Sequence, residues 1–188
     1  MKRLKLICAS LLILFSFQKG IAQTRKIDVV KSIINWEGKK ITGQHEGTIN
    51  FKEGNLIFKD KKVAGGNFIV DMKSLSNTDQ TGSSKQKLEG HLKSEDFFGV
   101  DNFSTSTLVF KSIANKGNNT YLINADLTIK GITNSIQFDL VVGGNKATAA
   151  LKVNRTKYDI KFGSGSYFDD LGDKTIYDDF DLNIVLIY

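Results

Sequence analysis

Period-two alternation is the feature that most narrows what this chain can become. From Tyr121 the apolar residues fall at Tyr121, Ile123, Ala125, Leu127 and Ile129, with Asn124, Asp126, Thr128 and Lys130 between them, which describes a strand buried on one face. The next run repeats it: Ile132, Ile136, Phe138, Leu140 and Val142 share one face, Thr133, Ser135, Gln137 and Asp139 share the other, and Gly131 marks the corner. Further runs occupy Ile34 to Trp36, Ile41 to Phe51, Leu56 to Phe58, Gly66 to Met72, Thr107 to Ile113, Ala147 to Val153 and Phe180 to Tyr188. Eight or nine strands joined by glycine and asparagine turns predict an antiparallel all-β domain, either a barrel or a sandwich.

One segment leaves this period. Ser83 and, three residues on, Gln86 read as a capping box, and Leu88 and Leu92 recur at helical spacing on a short helix from about Ser84 to Lys93. Leu88, His91 and Leu92 share its inner face. The Phe97-Phe98 pair that follows suits either a lid over one mouth of a barrel or two ordinary core anchors.

The N-terminus reads as a secretory signal. Lys2, Arg3 and Lys5 precede an apolar run from Leu6 to Phe17 that is short for a bilayer span, and Gly20 and Ala22 place small side chains before a cut after Ala22. The mature domain is then 23–188 and the expected compartment the periplasm. Loss of Lys2, Arg3, Lys5 and Lys19 from the 26 basic residues leaves 22 against 20 acidic, a near balance that gives no hint of nucleic acid or anionic surfaces. The single cysteine, Cys8, lies in the apolar run without the small neighbour of a lipid-attachment site, so no disulfide, thiol or lipid anchor is expected in the mature chain.

Catalytic patterns are missing: there is no His-Glu-x-x-His, no Gly-x-Ser-x-Gly, no phosphate-binding glycine loop and no cysteine nucleophile, so no catalytic residue is assigned. Gly163-Ser164-Gly165-Ser166 reads as a turn. The cluster Asp169, Asp170, Asp173, Asp178 and Asp179 lacks calcium-loop spacing and contains Lys174, which favours a solvated loop, and two histidines without cysteine make a zinc site improbable.

Two polar residues fall on inward faces. His45 shares its face with Ile41, Ile49 and Phe51, and Gly43 and Gly47 flank it two residues away on each side, leaving room for something to approach the ring. Arg155 continues the inward face of Ala149, Leu151 and Val153. Each is either structurally satisfied or a polar group awaiting a ligand head. The other inward candidates are large and apolar: Trp36, Phe68, Met72, Leu92, Phe97, Phe98, Phe110 and Phe138. An eight-stranded barrel can fill itself with such side chains or hold one slender ligand, and the pattern leaves both open.

A motif series carries a family resemblance. Gly90-His91-Leu92-Lys93-Ser94-Glu95-Asp96-Phe97-Phe98, Leu127-Thr128-Ile129-Lys130-Gly131-Ile132-Thr133, Asn154-Arg155-Thr156 and Phe162-Gly163-Ser164-Gly165-Ser166 resemble, in order and spacing, the YceI-like family, as do Trp36-Glu37-Gly38 and Gly65 to Ser74. The resemblance implies an exported, lipocalin-like, eight-stranded antiparallel barrel with a short helix near one mouth. It further implies a bound long isoprenoid, such as a quinone tail; the expected ligand is that chain or another apolar lipid such as a fatty chain, for carriage or storage. The residues themselves give no metal site, no nucleic-acid partner and no stable membrane insertion as the expectation. His45 and Arg155 are then the candidate head contacts and the ten residues named above the candidate ligand site; monomer and dimer stay open. Two rivals remain: a small outer-membrane barrel, suggested by the alternating last strand and its terminal Tyr188, and, more distantly, an enzyme acting on an isoprenoid lipid.

Overall fold

The computed structural model describes residues 21–188. Of the leader expected over 1–22, residues 1–20 lie outside the described residues, and Ala22 is the first residue of a strand. The order is β1 (Ala22–Lys26), β2 (Ile33–Lys40), β3 (Gly43–Lys59), β4 (Lys62–Asn77), α1 (Gly82–Lys93), β5 (Thr105–Gly117), β6 (Thr120–Ile129), β7 (Ile132–Gly143), β8 (Lys146–Asn154) and β9 (Ile176–Ile187). Every strand pairing is antiparallel, running β1-β3-β2-β9-β8-β7-β6-β5-β4, and a further β3–β4 pairing closes the ring. Strands β2 to β9 thus form a closed eight-stranded barrel, the predicted fold, and β1 is an extra strand laid on the far half of β3.

Turn chemistry sets the meander. Asp60-Lys61, Asn118-Asn119 and Lys130-Gly131 all take positive φ at both central positions, the two-residue hairpin turn whose twist suits adjoining strands. These turns lock the register so that Tyr121, Ile123, Ala125, Leu127 and Ile129 all fall inside, as their alternation predicts.

The runs read separately at Ile41–Phe51 and Leu56–Phe58 prove to be one 17-residue strand. A register shift between Phe51 and Glu53 moves the inward set from Ile49 and Phe51 to Gly54, Leu56 and Phe58. This long, bulged strand pairs with β2 over its first half, β1 over its second and β4 along both. Ile41 lies in the turn before it and is 54% exposed, so it does not share the inner face assigned to it.

The helix is present, and the capping box is not. Helix α1 starts at Gly82 with Thr81 as a cap that makes no side-chain hydrogen bond, and Ser83 lies inside the first turn. Gly82, at φ 59°, turns the chain into the helix earlier than Ser83 could cap it. Anchoring comes from upstream, where the Gln80 N–H donates to Asn77 Oδ1 at 3.1 Å.

Inward glycines apportion the interior. Gly54 pairs across the sheet with Phe68, and Gly66 abuts Phe110; a Cβ built on either would come within 2.5 to 2.8 Å of the facing ring. The rings of Phe51, Phe68, Phe110 and Phe138 then stack through successive centroid distances of 6.0, 5.7 and 6.0 Å and fill one end of the barrel.

The facing is directly testable in β7. Phe138 is 7% exposed, so Phe138→Asp places an unpaired charge in the core and is expected to cost several kcal/mol. Its exposed neighbour, by Gln137→Asp, should change stability by about 0.5 kcal/mol or less. Denaturant melts of both variants measure this, and equal effects would contradict the register.

Candidate functional site

The other end of the barrel is open inside. A cavity of about 330 Å³ lies beneath α1, walled by Ile34 and Trp36 of β2, Ile49 of β3, Val70 and Met72 of β4, Leu127 and Ile129 of β6, and Phe180 and Leu182 of β9. Its volume falls at the small end of the range of about 300 to 1,000 Å³ typical of ligand sites. Leu88, His91 and Leu92 of α1, with Phe97, Phe98 and Phe162, form the roof.

Of the ten residues expected at the site, Trp36, His45, Met72, Leu92, Phe97, Phe98 and Arg155 line this cavity. Phe68, Phe110 and Phe138 do not; they belong to the stack that fills the opposite end, because Gly54 and Gly66 let their rings nest inward. His91, Phe162, Ile176 and Tyr177 also line it. His91 was legible on the inner face of the helix, but Phe162 and Tyr177 come from irregular loop and strand-end positions that carry no period.

Trp36 shows how the wall is built. It pairs with Gly47 across β2 and β3, and a Cβ at Gly47 would collide with the Trp36 ring and the Ser76 carbonyl. The indole N–H donates to the Thr48 carbonyl at 3.3 Å. The room that Gly47 leaves beside His45 is therefore taken by Trp36, which lies against the wall, while Gly43 has open space around it.

His45 sits at the rim with its Nδ1 2.8 Å from Asp79 Oδ2, and both side chains are 28% exposed. Asp79 also accepts from the Glu46 N–H at 3.0 Å and from Asn77 Nδ2, and the Thr78 N–H donates to the Glu46 carbonyl at 3.0 Å. These bonds pin the segment leading into α1 onto β3. Burial acts to raise the Asp79 carboxyl, but His45, the Glu46 N–H and Asn77 outweigh it and hold the group down at about 2. Glu89 clamps the helix a second time, accepting from Ser76 Oγ at 2.9 Å and from the Asn77 N–H at 2.8 Å.

Arg155 is 2% exposed and lies just past the end of β8, on a 3-10 turn over Arg155–Tyr158. Its guanidinium donates to the carbonyls of Tyr177 at 3.0 Å, Ile160 at 2.7 Å and Ile176 at 2.9 Å. Asp178 Oδ1 stands 3.7 Å away and the Phe97 ring centroid 5.6 Å away. Burial lowers the Arg155 pKa, and the Asp178 charge works against that shift. Arg155 is thus the clasp that ties the chain after β8 to the start of β9 under the roof, with most of its donors already used.

Gly163-Ser164-Gly165-Ser166 is a turn, bridged to β9 through Ser164 and Ile176. Among the described residues no group of three or more His, Cys, Asp or Glu is arranged to hold a metal, and no helix is long and apolar enough to cross a membrane.

A closed antiparallel barrel with an apolar cavity under a short helical roof defines the lipocalin-like class of architecture. Residues 26–188 match the model of the YceI-like domain, and the chain belongs to that family. It is 39% identical over 85 residues to a UPF0312 protein of Staphylococcus aureus (strain USA300), an alignment covering 39% of this chain and 47% of that protein. It is 31% identical over 90 residues to a UPF0312 protein of Shewanella denitrificans, covering 48% of this chain and 45% of the relative. The chain therefore spans about half the length of the curated relatives it matches. Among solved structures, BcnA of Burkholderia cenocepacia superposes with a TM-score of 0.70 at 21% identity, covering 86% of this chain and 99% of that one. A polyisoprenoid binding domain from Saccharophagus degradans superposes with a TM-score of 0.58 at 16% identity, covering 87% and 96%.

Because the folded-state value of Asp79 lies below its ordinary 3.8, the pair stabilises the protein above about pH 4 and loses that contribution as pH falls toward 2. Asp79→Asn should therefore flatten the fall of melting temperature between pH 4 and 2 relative to the unmodified chain. Hydrogen exchange at neutral pH should also show faster opening of 77–93 in this variant.

Proposed function

We propose that this protein is an exported carrier or store for one isoprenoid or fatty chain, held in the barrel beneath α1. The observation that carries the reading is the half-open apolar cavity of about 330 Å³, roofed by Leu88, Leu92, Phe97 and Phe98. Affinity would come from burying apolar chain at roughly 25 cal/mol per Å². The likeness in fold to a polyisoprenoid binding domain supports this ligand class. The basic and apolar residues from Lys2 to Phe17 support export to the periplasm.

The floor of the cavity bears on chain length. The Phe68, Phe110 and Phe138 rings block the far half of the barrel, so a long tail must displace them or run out of the mouth. A quinone tail fits this reading when only its head and first units are enclosed. No chemical step is assigned, because the polar groups at the mouth, His45 with Asp79 and Arg155 with three carbonyls, serve the architecture.

The outer surface argues against the outer-membrane rival. Lys111–Asp126, Lys116–Asp139 and Lys152–Asp181 pair on the outward faces of β5 to β9, where a lipid-embedded barrel carries an apolar band.

Trp36, the lone tryptophan, lines the cavity and reports on its occupancy. Titration with an isoprenoid quinone should quench its emission saturably, with one chain per barrel. Mass spectrometry of organic extracts from natively purified protein should recover an isoprenoid or fatty chain. A linear, non-saturating quench together with lipid-free extracts would end the proposal.

A further inference from the structure

Four of the polar side chains around the cavity are engaged elsewhere. Arg155 donates to three carbonyls, His45 is bonded to Asp79, Lys39 is paired with Glu37 and Asp181, and Ser106 Oγ donates to the Met72 sulfur at 3.0 Å. His91 differs. It stands on the cavity wall, and its Nε2 is shut off from water with no hydrogen-bond partner.

Two phenylalanines enclose the imidazole. Phe162 packs edge-to-face with a centroid separation of 4.5 Å and Phe97 with one of 5.4 Å. Neither ring satisfies a ring nitrogen, and a buried polar atom left unpaired costs about 1 to 3 kcal/mol. Such orphans call for an explanation, a ligand or water position among them. The two neighbours are not equally fixed. Phe97 is 7% exposed and sits under Arg155, whereas Phe162 is 46% exposed and lies in a turn, so its ring can swing aside without opening the core.

Resting on the carrier reading above, we propose that His91 selects chains ending in a neutral oxygen, a carbonyl or a hydroxyl, which takes the place of the Phe162 ring beside the imidazole. A neutral imidazole offers one donor and one acceptor, so a carbonyl meets the N–H and a hydroxyl meets either nitrogen state. An anionic head fits poorly. Among the described residues Arg155 is the only charged side chain that is buried, and three of its guanidinium N–H groups already donate to carbonyls, with Asp178 alongside. At the rim, Lys40 and Asp179, of opposite charge, both line the cavity.

The test uses the intact protein, Trp36 emission as the readout, and three probes of one chain length: farnesol, the matching hydrocarbon without oxygen, and farnesyl phosphate. The unmodified protein should prefer farnesol to both others. His91→Leu should lose about five- to tenfold in farnesol affinity relative to the hydrocarbon, the scale of one net hydrogen bond. His91→Gln, which returns a donor near Nε2, should recover part of the loss. Equal weakening of farnesol and hydrocarbon in His91→Leu would make His91 a wall residue and overturn the inference. Tighter binding of farnesyl phosphate than farnesol by the unmodified protein would overturn it as well, and that comparison stands even if a variant fails to fold. Hydrocarbon binding without any preference for farnesol defeats this inference alone, whereas failure to bind all three defeats the carrier reading with it.

Discussion

The interior width of an eight-stranded barrel is the constraint on which the rest depends, because that width holds either side chains or one slender guest, not both at the same level. This chain divides the length of the barrel between the two. Glycines placed opposite aromatic rings do the dividing: Gly54 and Gly66 let Phe68 and Phe110 turn inward and fill one half. Gly47 lets Trp36 lie flat along the wall, so the other half stays open. Adding a Cβ at any of these glycines would drive a ring out of place, so packing and cavity are two results of the same cross-strand pairs.

The polar groups at the open end form the frame of the roof. Arg155 and the carbonyls of Ile160, Ile176 and Tyr177 secure the chain on one side, and Asp79 and Glu89 secure the approach to α1 and the helix itself on the other. The roof is held by hydrogen bonds at its margins and meets the cavity mainly through apolar side chains. The roof helix has no fully buried residue, which places it at the low-stability end of the molecule.

Much of the architecture was legible because its causes are local. The facing of Tyr121 to Ile129 follows from alternation alone, and the Lys130-Gly131 corner from turn chemistry. The inner face of α1, with Leu88, His91 and Leu92, follows from helical spacing. The continuity of β3 was not legible, since the bulge near Lys52 breaks the period and made one strand look like two. Strand β1 was missed because its residues, Ala22 to Lys26, do not alternate and it pairs only with one half of β3.

Within an unbroken strand such as Tyr121 to Ile129 the sequence by itself determined which residues face inward, because a period of two is a property of the chain and needs no partner. It also marked His45 and Arg155 as inward polar residues. Only the tertiary structure decided what those inward residues do. Whether Phe110 plugs the barrel or lines a cavity depends on Gly66 in the neighbouring strand. Whether Arg155 is free or engaged depends on carbonyls 5 to 22 residues away, and whether His91 is satisfied depends on Phe97 and Phe162 arriving from separate segments. Facing is set within a strand, while occupancy and hydrogen-bond satisfaction are set between strands, and no one-dimensional pattern records the second.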